Sequence, residues 1–169
     1  LPLLGKILFE AYSREHFFSV NQDSAYDTVL YDLLDKDDLA DTLEYIALQE
    51  IKFPDQMHVV TARFVKRTEN RYIKQALGMK LSQIFPQGFS VLYKGYVSIL
   101  VPSVSPEQKQ SLNELVQSEN VSIGISWSFH DIAQFKRHFN QSASAIKQAE
   151  RFGISGEVLN YSDYFFYDL

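Results

Sequence analysis

The sequence contains no cysteine among its 169 residues. This absence excludes disulfide bonds, thiolate metal sites and cysteine nucleophiles, and it fits a reducing compartment. Apolar runs are also short, and none approaches the roughly 20 residues that a membrane-spanning helix needs. The opening stretch, LPLLGKILFEAYSREHFF, carries several charges and lacks both an initiator methionine and a small-residue cleavage site. We interpret the chain as a piece of a longer cytoplasmic protein with no membrane partner.

The chain also has no excess of basic residues. Its formal charge is -5 and its pI is near 5.3. Because DNA binding needs a basic surface that neutralises several phosphates, this chain alone is expected to bind DNA poorly. Apolar residues are plentiful at 46%, with 14% aromatic residues. That composition is enough to build the core of one ordinary domain with flanking helices.

Residues 1–50 are predicted to form an N-terminal helical segment. The first helix is indicated by an apolar stripe at helical spacing, which contains Leu4, Ile7, Leu8, Ala11 and Phe18. A turn at residues 19–24 precedes a second stripe, formed by Tyr26, Val29, Leu30, Leu33 and Leu34. The acidic run DKDD at residues 35–38 is expected to cap a third helix, whose stripe is Leu39, Leu43, Ile46 and Ala47. A metal site at this run would need converging ligands from elsewhere, and none is evident.

Residues 51–169 predict an α+β domain. Strands are expected at 57–65 and 121–126, and FSVLYKGYVSILV at 89–101 predicts a hairpin that turns at Lys94 and Gly95. A helix is expected at 70–84, with a stripe of Tyr72, Ile73, Ala76, Leu77, Leu81 and Ile84. SPEQ at 105–108 is a capping-box signal, and a long helix after residue 130 is predicted to end at Gly153. A short strand, EVLN, follows, so the order predicts a ferredoxin-like mixed antiparallel sheet covered by helices.

The strand VSIGIS, followed by a helix containing SASAIKQAERFG, resembles the end of the GGDEF or nucleotide-cyclase-like domain. The similarity is greater to the degenerate form of that domain in PucR and CdaR-type bacterial transcriptional regulators. It extends from the segment beginning YDTVLYDLL to the aromatic segment at residues 160–169, and so covers roughly residues 25–169. One departure from the pattern is that the glycine often found before the first strand is replaced around Gln49 and Glu50.

The hairpin lacks the residues that cyclase chemistry requires. An active diguanylate cyclase has glycines there to admit the nucleotide, and acids there and in the first strand to hold the metal ions. The hairpin here reads YKGYVS, and the strand HVVTARFVK has no acid. We therefore expect no enzymatic activity. Lys94 is interpreted as an exposed hairpin residue rather than a phosphate ligand, and Tyr93 and Tyr96 as packing residues rather than base-stacking ones.

Other candidate residues favour structural roles. The four histidines, His16, His58, His130 and His138, show no HExxH-type pairing, so N-capping or surface positions are expected for them. Trp127 is expected to pack over the start of the long helix, with a place in a pocket as the alternative. Asp163 is expected in a first helical turn. We assign no catalytic, cofactor-binding or metal-ligating residue, and we expect no cofactor.

Two classes of function stay open. The resemblance implies a non-catalytic regulatory and dimerisation domain of a transcriptional regulator, which passes a signal to a DNA-binding helix-turn-helix domain outside this chain. The alternative is a sensor that binds a nucleotide or other small-molecule effector in the place of the cyclase cleft. The first class implies a homodimer in which DNA is contacted only by another domain. The apolar stripe of the first helix predicts where the two copies meet.

Overall fold

The computed structural model describes residues 25–168. The predicted first helix, the turn at 19–24 and His16 lie outside the described residues. The elements in chain order are a helix over residues 25–35 (α1), α2 (Ala40–Leu48), β1 (His58–Phe64), α3 (Arg71–Ile84), β2 (Phe89–Tyr93), β3 (Tyr96–Val101), α4 (Pro106–Glu119), β4 (Val121–Ile125), α5 (Phe135–Arg151) and β5 (Val158–Asn160). Short 3-10 turns lie at Ile132–Gln134, Tyr161–Asp163 and Phe165–Asp168.

The described strands form one five-stranded sheet in the order β2-β3-β1-β4-β5. All neighbours are antiparallel except β4 and β5, which run parallel. The predicted α+β class and the ferredoxin-like mixed sheet are confirmed. Strand β1 lies at the centre, where Thr61 is opposite Ser98 of β3 on one side and Gly124 of β4 on the other.

Helices cover both faces of the sheet because alternate residues of each strand face opposite sides. Val59 of β1 belongs to a core shared with α1 and α5, whereas Val60 belongs to a core shared with α3 and α4. The predicted stripe of α1 is confirmed, since Val29, Leu30, Leu33 and Leu34 are all buried in the first of these cores. Residues before position 50 therefore pack directly on the sheet. The predicted domain boundary at residue 50 stays a prediction.

Local signals at several helix ends are confirmed. Ser105 and Gln108 form the capping box of α4. Helix α5 ends in a Schellman motif, in which Gly153 has a φ of 74° and Ile154 N donates to Ala149 O. Helix α2 ends in the same motif, with Ile51 N donating to Ile46 O, but there the left-handed position is held by Glu50, with a φ of 51°. Glu50 therefore replaces the expected glycine at a left-handed position, where glycine is favoured.

Two predictions about helix faces and caps are wrong in part. The N-cap of α2 is Leu39, which makes no side-chain capping bond; of the DKDD acids, Asp38 accepts a bond from Ala40 N instead. In α3 the buried residues are Leu77, Gly78 and Leu81, while Tyr72 and Ile73 are 81% and 45% exposed. The helix packs through Gly78, where a Cβ would lie 3.5 Å from Val97, so its buried face is rotated away from Tyr72.

The long helix after β4 is shorter at its start than predicted, because Ile132–Gln134 is a separate 3-10 turn. Its predicted stripe is otherwise confirmed, with Phe135, Phe139, Ala143, Ile146 and Ala149 buried. Over residues 25–168, no helix has the length and apolar character needed to cross a bilayer.

Candidate functional site

The hairpin turn lies at the edge of a small cleft. Lys94 and Gly95 both have positive φ angles, 46° and 83°, as a two-residue hairpin turn of type I′ requires. The turn directs Lys94 outward, while Tyr93 and Tyr96 pair across the two strands. Beside it is a cleft of about 270 Å³, which we call the hairpin cleft.

Tyr93 and Tyr96 pack in the core, as predicted. Both are buried, and each ring meets the Phe139 ring edge-to-face at a centroid distance of 5.7 Å. The Tyr93 hydroxyl donates to Leu34 O at 3.3 Å, which joins the hairpin to α1. Because both side chains are buried, their rings are not available to stack on a base.

Cationic side chains surround the hairpin cleft. They come from β1, the loop after it, α3, the hairpin turn and α5, and they are Arg63, Arg67, Lys74, Lys94 and Lys147. Glu69 is the one carboxylate among the described residues that line it. Five cations facing a single acid produce a positive potential in a chain whose formal charge is -5. The arrangement suits a small anion.

Arg63 is the most firmly held of these cations. Its guanidinium donates to the Tyr96 hydroxyl at 3.1 Å, lies 5.4 Å from the centre of the Tyr96 ring and forms an ion pair with Glu150. Burial lowers the pKa of Arg63, but the hydrogen bonds and charges of Glu150 and Tyr96 together outweigh it, so the pKa is raised overall. The side chain is thus a permanently charged wall of the cleft.

The hairpin cleft has few oxygen ligands for a metal ion. Glu69 is the one carboxylate among the described residues that line it. Glu150, which does not line the cleft, is paired with Arg63. A phosphoryl-transfer site holds its Mg²⁺ ions with several carboxylates. Across residues 25–168, no group of three or more His, Asp or Glu side chains is placed to hold a metal ion. What the described side chains can do in this cleft is bind and orient an anion.

The described histidines lie apart from the hairpin cleft. His130 is exposed and bonds through Nδ1 to Asp55 O at 2.8 Å, and His58 is half-buried in β1. His138 is buried, so the predicted surface role is wrong for it. Its ring stacks on Phe129 at 4.2 Å, and burial lowers its pKa. A neutral imidazole there serves as a packing residue.

Of the two interpretations of Trp127, the place in a pocket is confirmed, whereas packing over the start of the long helix stays a prediction. Its backbone N–H donates to Gln141 Oε1, within α5, at 3.2 Å. Its ring meets Tyr161 and Phe165 of the C-terminal turns at 4.9 and 5.4 Å and is 41% exposed at a second cavity. Asp163 lies in the 3-10 turn Tyr161–Asp163, as expected.

Sequence reasoning missed four of the five cations, Arg63, Arg67, Lys74 and Lys147, because they are distant along the chain. The sequence did contain one signal for Arg63. Arg63 is the one Arg, Lys, Asp or Glu residue in strand β1. A charge in a central strand needs a partner or a ligand. Lys147, in contrast, is indistinguishable in sequence from any exposed helical lysine.

Comparison with protein-family models gives no match, and comparison with curated proteins gives none either. Among solved structures, the chain is similar to a regulator of polyketide synthase expression from Bifidobacterium adolescentis, with a TM-score of 0.49 and 10% sequence identity. The similarity covers 74% of this chain and 54% of that chain, so this chain spans about half the length of that protein. At this identity and TM-score the similarity does not identify a function.

Proposed function

We propose that this chain is a non-catalytic regulatory domain of a bacterial transcriptional regulator of the PucR/CdaR type, with a degenerate GGDEF-like sheet domain. In this proposal it acts as a homodimer in the cytoplasm and passes its signal to a helix-turn-helix domain outside this sequence. The observation that carries the proposal is the hairpin cleft. It lies beside the hairpin, where the resemblance to cyclase-like domains puts the nucleotide site, and Glu69 is its one carboxylate among the described residues.

The electrostatics support delegation of DNA binding to another domain. The formal charge of -5 opposes contact with the phosphate backbone. The cations of the hairpin cleft do not change this, because they surround a volume of only about 270 Å³. A duplex requires contacts spread along a surface, whereas this cleft has room for one small group.

A second candidate function is favoured by the same cations. In it, the domain is a sensor whose small-molecule effector is an anion held in the hairpin cleft. Arg63 is fixed by Tyr96 and Glu150, so one of the charges is already positioned before a ligand binds. Preorganised charges of this kind increase affinity because little side-chain freedom is lost on binding.

Solution mass tests the dimer. Light scattering at tens of micromolar is expected to give twice the 19.5 kDa of the chain. Changing Ile7 and Leu8 to Asp is expected to give monomers, because the stripe on residues 4–18 is the predicted interface.

A matched control for this test lies on α3, where Tyr72 and Met79 are 81% and 67% exposed. The variant Tyr72→Ser with Met79→Ser removes an apolar patch of similar kind and is expected to stay dimeric. A monomeric parent would contradict the dimer. A dimer that is lost only in the α3 variant would move the interface to α3.

A further inference from the structure

A second cavity lies at the start of α5 and shares no lining residue with the hairpin cleft. Its volume is about 690 Å³, within the range of about 300–1,000 Å³ that is usual for small-molecule sites. One wall is aromatic and consists of Trp127, Tyr161 and Phe165. We call this cavity the aromatic pocket. The two sites are separated along α5, since Lys136 lines the pocket and Lys147 lines the cleft.

The orientation of Gln141 makes it a donor to the aromatic pocket. This side chain is only 6% exposed, and its Oε1 lies 3.2 Å from Trp127 N and 2.9 Å from His138 Nδ1. A backbone N–H can only donate, so the oxygen must face Trp127 and the amide NH₂ must be on the other side. Within residues 25–168 that NH₂ has no protein acceptor, and Gln141 lines the pocket.

Arg137 supplies a cation that has no ion-pair partner among residues 25–168. The three basic residues that line the pocket are Lys36, Lys136 and Arg137. Lys36 is paired with Asp32 at 3.1 Å and Lys136 with Asp37 at 3.3 Å. Arg137 is exposed and forms no ion pair or hydrogen bond with any described residue. Its planar guanidinium matches a carboxylate in geometry.

Two acids at the pocket limit the charge of the ligand. Asp37 is held by Lys136, and Asp168 accepts bonds from Ser144, Gln148 and Tyr161. Carboxylates at this position repel a dianion such as a phosphate ester more than a monoanion. Trp127 is 41% exposed and lines the pocket, so an aromatic ring can contact it there, where stacking and burial of apolar area both contribute.

We propose that the aromatic pocket binds a small aromatic carboxylate, with its ring against Trp127 and its carboxylate held by Arg137 and the Gln141 amide. This proposal does not depend on the proposed function, because none of its residues belongs to the hairpin cleft. Occupancy would connect Arg137 and Gln141 of α5 with the aromatic wall of the pocket.

Trp127 is the single tryptophan of the chain, so one indole N–H signal in a proton–nitrogen NMR spectrum reports on the pocket. Three probes are titrated into the 169-residue chain: benzoate, benzamide as the uncharged ring, and acetate as the carboxylate without a ring. Benzoate is expected to move the indole signal along a saturable curve. Benzamide and acetate are each expected to produce smaller shifts that do not saturate over the same range.

Arg137→Gln is expected to weaken the benzoate affinity by about tenfold, the usual loss for one hydrogen-bonded charge. Arg71→Gln is the matched control, since Arg71 is exposed on α3 and does not line the pocket; it is expected to leave the affinity unchanged. The proposal is overturned if benzoate gives no saturable shift, if benzamide or acetate binds equally well, or if Arg137→Gln binds benzoate as the parent does.

Discussion

A Cβ atom added to Gly124 would lie 1.9 Å from the carbonyl oxygen of Ser142. Helix α5 therefore crosses β4 in near-contact, backbone against backbone, and only glycine leaves room for it. The same approach places Ser142 over the centre of the sheet, where its hydroxyl meets Thr61. Both Arg63 and the aromatic contacts of Phe139 depend on this placement of α5, since Glu150 and Phe139 belong to that helix.

Gly124→Ala is expected to destabilise the protein by about 3 kcal/mol, because backbone cannot move aside as a flexible side chain can. Urea denaturation measures the effect. Gly78→Ala is the control, since its Cβ would meet Val97 at an ordinary 3.5 Å and lies within helix α3. That change is expected to raise the free energy of unfolding by about 0.5–1 kcal/mol, because alanine has a higher helix propensity than glycine. Equal effects of the two variants would refute the close approach.

The buried hydroxyls of the sheet centre give a second prediction. Thr61 Oγ1 lies 2.7 Å from Ser98 Oγ and 2.6 Å from Ser142 Oγ, and all three residues are fully buried. Thr61→Val leaves the Ser98 hydroxyl without its partner and is expected to cost about 1–3 kcal/mol. Adding Ser98→Ala removes the orphaned group and is expected to restore part of the loss. A double variant no more stable than Thr61→Val would contradict this account.

Glu50 provides a test of backbone strain. It holds the left-handed position of a Schellman motif with a φ of 51°, whereas the same motif at the end of α5 has Gly153. Glu50→Gly is expected to raise the free energy of unfolding by about 0.5 kcal/mol, since relief of strain exceeds the added freedom of the unfolded chain. Glu50→Ala keeps the Cβ and is expected to change little. If alanine stabilised as much as glycine, strain would not be the cause.

Asp168 predicts a pH dependence. The hydrogen bond from Ser144 lowers its pKa, against the effect of burial, and bonds from Tyr161 and Gln148 lower it further. A carboxylate whose pKa is lowered by folding stabilises the fold at pH values above its unfolded pKa. This contribution is lost as the pH falls through the folded pKa. Asp168→Asn is therefore expected to lower the melting temperature near neutral pH, by an amount that shrinks below about pH 4.

The control for this prediction is Asp163→Asn, because the Asp163 side chain is exposed and makes no hydrogen bond within the described residues. It is expected to show little difference from the parent at any pH. A constant deficit for Asp168→Asn across the whole pH range would mean that the carboxylate charge is not what stabilises the C-terminal turns.

Much of the fold was predictable because its signals are local. The hairpin turn at Lys94 and Gly95 and the capping box at Ser105 each depend on a few consecutive residues. The buried face of α3 was not predictable in the same way. A pattern of apolar residues assigns Tyr72 to the core and ignores Gly78, yet Tyr72 is exposed and Gly78 is buried.

The candidate site also combines features that a few consecutive residues predict with features that only the fold brings together. Sequence could show that the hairpin lacks acids, because that information lies in YKGYVS alone. It could not assemble the hairpin cleft, whose cations come from residues as far apart as Arg63 and Lys147. His138 also required the structure, since burial against Phe129 depends on how α5 meets the loop after β4.

We propose that the hairpin cleft does not support cyclase chemistry. The most direct measurement is incubation of the chain with GTP and Mg²⁺, followed by quantification of cyclic dinucleotide and pyrophosphate. The account predicts neither product above the level of a protein-free control, because Glu69 is the one carboxylate that the described residues place in the cleft. Formation of either product by the parent, and its loss in Glu69→Gln, would contradict the account.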